Sequence, residues 1–330
     1  MNATIAAPAP PAAVTKPAVD WFAVAAFGLL WLEIVARLRF EWSVNPQYGY
    51  GWAVPFLGAY VFWRRMQSAP APTRPSIRTV VGAIIITVAL ALIPIRLIQE
   101  ANPDWRILSW TMAIGAIAIS GSGVYLAGGM AWLRHFAFPL LFFLVAVPWP
   151  TQFEQAVIQG LMRAVASINV EVLNAIGISA VQMGNVIEVG SGFVGIDEAC
   201  TGVRSLQATF MVSLFLGEFY GFSRVRRVIL VVVGALLAFF CNLVRTFLLV
   251  YVGAEQGSEA IKSWHDPAGL TILVACLFGL WAISMFMGGA SKLPATESAK
   301  ASANPLRLPR AILIALIALT VSAEAATQLW

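Results

Sequence analysis

The chain has little charge. Of its 330 residues only 11% are Asp, Glu, Lys or Arg, 59% are apolar, and the mean hydropathy is +0.80. Soluble domains carry about 25% charged residues. A freely soluble protein is therefore excluded and a polytopic membrane protein is indicated. Cysteine is scarce as well: Cys200, Cys241 and Cys276 are too few for a disulfide framework, and the last two fall inside apolar spans. Histidine is scarcer still, with His135 and His265 alone. No cofactor or metal is expected. The net charge of +5 does not indicate a nucleic-acid partner, because the basic residues lie mainly between apolar spans, where they set topology.

What is present is a series of apolar runs. Spans are expected at about 21–38, 49–63, 77–98, 104–127, 130–149, 203–221, 228–253 and 266–288, with a ninth candidate from Ala311 to the chain end. Lengths near 20 residues match a hydrocarbon layer about 30 Å thick. Residues 1–20 are rich in Ala and Pro and read as a disordered tail. The first span has no convincing small-residue cleavage site after it and reads as a retained anchor. Residues 289–310 read as a cytoplasmic linker. Arg64, Arg65, Arg74 and Arg78, then Arg134, then Arg224, Arg226 and Arg227, then Lys292, Lys300, Arg307 and Arg310 fall in alternate loops. By the positive-inside rule those loops are cytoplasmic, as is the N-terminus. The other loops are acidic or mixed and face out.

The longest outward segment is 150–200. In 151–176, Val157, Leu161, Val165, Ile168, Val172 and Ile176 recur at helical spacing with Gln155, Gln159, Arg163 and Glu171 between them. That pattern predicts an amphipathic helix lying on the membrane or over the bundle. Val181, Met183, Val186, Ile187 and Val189 around Gly184-Asn185 predict a small β-hairpin. The expected fold is an all-α polytopic bundle of about eight transmembrane helices, with this amphipathic helix and hairpin before the sixth.

Three residues stand out chemically. Asp197 is positioned to cap the sixth span and to place Cys200 in its first turn, where unpaired N–H groups lower a thiol pKa. Arg204, four residues on, would share a helix face with it. A small buried cysteine beside a snorkelling arginine would leave the same pattern. Arg245 lies within the apolar run 228–253. A mid-membrane arginine costs roughly 2.5–3.5 kcal/mol on insertion scales and is functional by default. Asn242 is one turn earlier on the same face and able to hydrogen-bond across helices. A structural ion pair of Arg245 with Glu218 is disfavoured by depth. His265 precedes Asp266-Pro267, which reads as N-cap and first helical residue of the eighth span. Its pKa suits proton transfer near neutrality. His135, beside Arg134, reads as solvated. With alternating spans, Cys200, Arg204, Arg245 and His265 all fall in the outer half of the bundle, which favours a site. Cys200 would attack a carbonyl, His265 would move the proton, and Arg245 would stabilise the oxyanion or orient the peptide. A transporter or polysaccharide-export component binding an anion through Arg204 and Arg245 is the competing reading. The absence of a detectable internal repeat weighs against transport.

Glu198-Ala199-Cys200-Thr201-Gly202-Val203-Arg204-Ser205, then Asn242-Leu243-Val244-Arg245, then His265 together resemble the three ordered boxes of the exosortase/archaeosortase family. Thr201 stands where the family usually has serine and keeps the hydroxyl. Tyr48-Gly49-Tyr50-Gly51 through Trp63-Arg64-Arg65 is similar to the family's early span. The likeness covers roughly 21–288. It implies a bacterial inner-membrane cysteine protease/transpeptidase with Cys200, Arg245 and His265 catalytic and Arg204, Asn242 and Glu198 supporting. The implied clients are secreted proteins with a C-terminal motif such as Pro-Glu-Pro, a transmembrane helix and a basic tail. Cleavage would occur at the outer face, with water, a lipid or a glycan as acceptor.

Overall fold

The computed structural model describes residues 20–189, 192–195, 202–288 and 305–329. Nine α-helices and three short strands occur among them. Asp20 opens α1 (Trp21–Val44), its carboxylate accepting the N–H groups of Phe22 and Ala23 at 3.2 and 3.4 Å. A 3-10 turn over Pro46–Trp52 leads into α2 (Ala53–Gln67), followed by α3 (Arg78–Ala101), α4 (Arg106–Phe142) and α5 (Thr151–Ala175). Strands β1 (Ala180–Met183), β2 (Val186–Val189) and β3 (Gly192–Gly195) come next, then α6 (Val203–Phe219), α7 (Arg224–Gln256), α8 (Ser258–Phe286) and α9 (Arg310–Leu329). The all-α polytopic bundle expected from the sequence is what the structure shows. Among the described residues seven helices are long and apolar enough to cross a membrane: α1, α3, α4, α5, α7, α8 and α9.

The differences from the expected eight spans have local causes. α2 and α6 have only 15 and 17 helical residues, about 22 and 25 Å of rise, so each needs its neighbours to complete a crossing. α4 contains two of the expected spans. It breaks at Gly129, whose backbone (φ 75°, ψ −165°) is not helical. Only glycine takes such a conformation readily, and a Cβ there would lie 2.1 Å from the Thr73 hydroxyl. The second arm of α4 runs back beside α2, with Phe136 against Phe62 at 4.7 Å between ring centres.

The bundle has two distinct ends. At the basic end Glu218 of α6 sits between Arg65 of α2 at 2.5 Å and Arg227 of α7 at 2.6 Å. Glu218 is thus committed far from Arg245, in line with the depth argument. His135 is half-buried there and its Nε2 meets the Arg65 carbonyl at 2.9 Å, so it is packed rather than solvated. At the opposite end Arg106 pairs with Glu41 at 2.7 Å and also with the buried Glu154 of α5. Tyr48 donates to the same carboxylate and accepts from the Trp149 N–H at 2.9 Å. Burial and that carboxylate push the Tyr48 phenol above its ordinary pKa, keeping it a neutral donor.

α5 passes the length and composition test for a span but does not cross. It starts at the opposite end through Glu154, and its buried face (Ile158, Met162, Val165, Leu173) packs with Ile187 and Val189 of β2, Val203, and Leu249 and Val250 near the α7 C-terminus. Both its ends therefore belong to one layer, as an amphipathic helix lying over the bundle requires. The expected hairpin is present, with Met183 paired to Val186 around Gly184-Asn185, and a third antiparallel strand extends it.

The largest core joins α1, α3, α4 and α9 through Leu30, Ile34, Ile85, Ile119, Leu126 and Leu313. A charged knot reinforces it. Arg96 is fully buried and binds Glu100 at 2.7 Å, Glu324 at 3.0 Å and Thr327 at 3.2 Å, with Glu33 at 3.7 Å. Arg37 bridges Glu100 and Glu324 at 3.0 and 2.9 Å. α9 is held through Glu324 to both α1 and α3.

Candidate functional site

Of the predicted site residues, Arg204, Asn242 and Arg245 are fully described, and they lie on α6 and α7 toward the end opposite the basic one. α6 begins with Gly202 as its N-cap, in left-handed conformation at φ 75°. A Cβ on Gly202 would sit 2.6 Å from Asn242 Cγ and 2.8 Å from its Cβ. The start of α6 is therefore pressed against α7 at Asn242, at a separation that only glycine permits. Ser205 closes the first turn by donating to the Gly202 carbonyl at 2.8 Å.

Asn242 and Arg245 are buried, 2% and 6% exposed. Arg245 lies between α7 and α8: a Cβ built on Gly269 of α8 would be 3.5 Å from its Nη2 and 3.8 Å from its Cζ. Position 265 is one turn N-terminal of Gly269 on α8, and residues four apart share a helix face. The contacts thus link the chain just after residue 200 to Asn242, and Arg245 to the stripe of α8 that includes position 265.

Three expectations change. α6 starts at Val203, so Cys200 precedes its first turn and Asp197 is not its cap. The helix-face argument tying Arg204 to Cys200 lapses with it, and Arg204 is exposed. Cys200 and Glu198 lie outside the described residues. α8 begins at Ser258 after Gly257 (φ 84°), so Asp266 does not cap it and Pro267 lies within the helix. A proline lacks an N–H and disturbs the preceding turn, which explains why Asp-Pro reads from sequence as a helix start. His265 is consequently a helical residue inside α8. Its backbone is described, while its side chain lies outside the described part. The region 289–304 and the N-terminal tail also lie outside the described residues.

Cys241 and Cys276 are free thiols on α7 and α8, helices that pack against each other. Both are within the spans, as expected for packing residues.

The chain's sequence matches a family model described as transmembrane exosortase over residues 42–282. The chain belongs to the transmembrane exosortase family. Membership brings with it a coarse function, that of a membrane-embedded sorting protease or transpeptidase, and a multi-pass membrane location. No curated protein and no solved structure matched. The matched range begins near the end of α1 and stops before the end of α8, so α9 lies outside it.

Sequence reasoning passed over two buried polar residues, one on α6 and one on α7. Gln207, 1% exposed on α6, has neither amide atom hydrogen-bonded, and Thr246, 3% exposed and one turn after Asn242, has no partner for its hydroxyl. The Asn242 Nδ2 is also without one. A buried polar atom left unpaired costs about 1–3 kcal/mol, and such atoms accumulate where a ligand completes them. The signal available in the sequence was the polar residue inside an apolar run, one turn from Asn242.

Proposed function

We propose that this exosortase-family chain is a cysteine protease/transpeptidase that cleaves the C-terminal sorting signal of secreted proteins through an acyl-thioester on Cys200. The observation that carries the reading is the double contact at one level of the bundle. Gly202, two residues after Cys200, abuts Asn242, and the buried Arg245 guanidinium one turn further on abuts Gly269, one turn from His265. Two residues of chain span at most about 7 Å, and the proposal requires Cys200 to stand within that reach of Gly202, near the Asn242 and Arg245 layer.

The chemistry follows from the residue types. The Cys200 thiolate adds to the scissile carbonyl carbon, and the carbonyl oxygen takes up the negative charge. Arg245, in a water-poor layer, stabilises that oxyanion far better than it would in bulk water. Collapse of the intermediate breaks the C–N bond, and His265 delivers a proton to the departing amine. Water or an amine on the acceptor then attacks the thioester, and Cys200 leaves as thiolate. Asn242, Gln207 and Thr246 offer hydrogen bonds to the client's main chain, and Arg204 and Glu198 support the approach.

By the positive-inside rule the basic end is cytoplasmic, which puts the site at the periplasmic face of a bacterial inner membrane. A client with its own transmembrane helix would present the motif at this depth. The decisive experiment incubates purified chain with a sorting-signal peptide and searches for a Cys200 thioester by mass spectrometry. A covalent adduct on Cys200, absent in Cys200→Ala, is the expected result. Undiminished processing by Cys200→Ala would remove the proposal.

A further inference from the structure

A second feature lies away from this site, at the basic end. An apolar groove of about 1240 Å³ opens between α1 and α2, with α4 as its back wall and residues 305–310 along its mouth. Most small-molecule pockets are smaller, about 300–1,000 Å³. Its walls carry Phe27, Trp31, Phe62, Phe136 and Phe143. Along α1 it extends from Asp20 to Val35, about 22 Å of helix rise. That exceeds half of a hydrocarbon layer about 30 Å thick, so the groove spans the depth of one leaflet.

The mouth is amphipathic in the sense a lipid requires. Trp21 and Trp63 line it and are exposed, as indoles at a membrane–water interface are. Arg307 and Arg310 line it too and are exposed. Arg78 stands beside them, donating to the Arg307 carbonyl at 3.4 Å. Asp20 is the one acid among the lining residues, and its carboxylate is occupied in capping α1.

We propose that this groove holds the acyl chains of an anionic phospholipid from the leaflet at the basic end, with Arg307 and Arg310 on its phosphate. Charge selects this occupant over a hydrophobic peptide helix. Transmembrane segments carry Lys and Arg on their cytoplasmic flank, and three arginines would repel them. Guanidinium groups bind phosphate oxygens in pairs, and a basic residue near an anionic surface strengthens association roughly fivefold.

The test uses the full chain in nanodiscs containing phosphatidylglycerol or phosphatidylcholine with a photoreactive group on one acyl chain. Cross-links are mapped by mass spectrometry. Labelling of α1, α2 and α4 groove residues is expected to be several-fold stronger with phosphatidylglycerol. Arg307→Gln with Arg310→Gln should reduce it to the phosphatidylcholine level, and the double Lys variant should retain it. Gly28→Phe with Gly58→Leu should abolish groove labelling by both lipids. A Cβ on Gly28 meets nothing within 4 Å and one on Gly58 nothing nearer than 3.8 Å, so the fill enters open space. Equal labelling of the native chain by both lipids would overturn the proposal. So would labelling that survives the filled groove, or protection of the groove by the chain's own residues 1–19 or by a co-purified peptide.

Discussion

Among the described residues two buried arginines sit in the membrane-spanning part of this chain, in different surroundings. Arg96 is matched by Glu33, Glu100 and Glu324, carboxylates from three helices, and ties α9 to α1 and α3. Arg245 follows Asn242 by one turn on α7 and is buried against Gly269 of α8. The rule that an intramembrane arginine is functional flags both equally. Their neighbours separate them. Carboxylates drawn from three helices make Arg96 a clamp, and the role proposed for Arg245 rests on its place one turn after Asn242 and against Gly269 of α8.

The sharpest way to break this comparison is to remove each charge. Arg245→Ala is expected to lower processing of a C-terminally anchored client by at least 10²-fold with protein level maintained, since losing one oxyanion donor costs 10²–10³. A gel-shift assay of the client with quantitative immunoblotting of the enzyme reads both quantities. Arg96→Ala should do the reverse. Stranding the buried Glu33 carboxylate, with Glu100 and Glu324 losing their shared partner, costs up to about 3–5 kcal/mol, so the yield of folded protein in detergent falls while activity per folded molecule persists. If Arg96→Ala proved well folded and inactive, the division into clamp and site would be wrong.

Smaller effects refine the site. Gly202→Ala must adopt a left-handed conformation at a cost of roughly 1–2 kcal/mol, and its methyl would meet Asn242. Its thermal midpoint should fall modestly and its processing rate by about tenfold, because α6 is displaced from α7. Gln207→Leu and Thr246→Val remove unpaired buried groups, so folding should be unchanged or gain up to about 1 kcal/mol. If they contact the client, processing falls several-fold through a raised KM. An unchanged KM would show that they only pack. Arg204→Gln is expected to be the mildest, a change of under threefold in rate, because Arg204 is exposed.

Much of this architecture was legible in the chain. Apolar runs and alternating arginines located α1, α3, α7, α8 and α9, and the gap between the spans expected at 104–127 and 130–149 coincides with the break at Gly129 that divides α4. Those features are local, set by lipid thickness and backbone chemistry. The start of α8 was not legible, because Asp266-Pro267 has the composition of a helix start whether or not a helix already precedes it. The span of α6 was expected from residue 203, as found, but its cap was misassigned to Asp197. Gly202 serves as its cap because Asn242 of α7 fills the space beside it, a fact about a distant segment. α5 has the hydropathy of a span and the behaviour of an overlay, since Glu154 and the strands hold both its ends in one layer.

By itself, then, the sequence determined that this protein lives in a membrane, how its helices alternate, and which residue types are too costly to be there without cause. Hydrophobicity and charge act residue by residue, so they can be read in one dimension. The tertiary structure alone decided that Arg96 meets carboxylates from three helices, which residues abut across α6, α7 and α8, and where an open groove remains. Those outcomes depend on which side chains from separate helices come within about 4 Å of each other, and contact at that range is a property of the packed bundle.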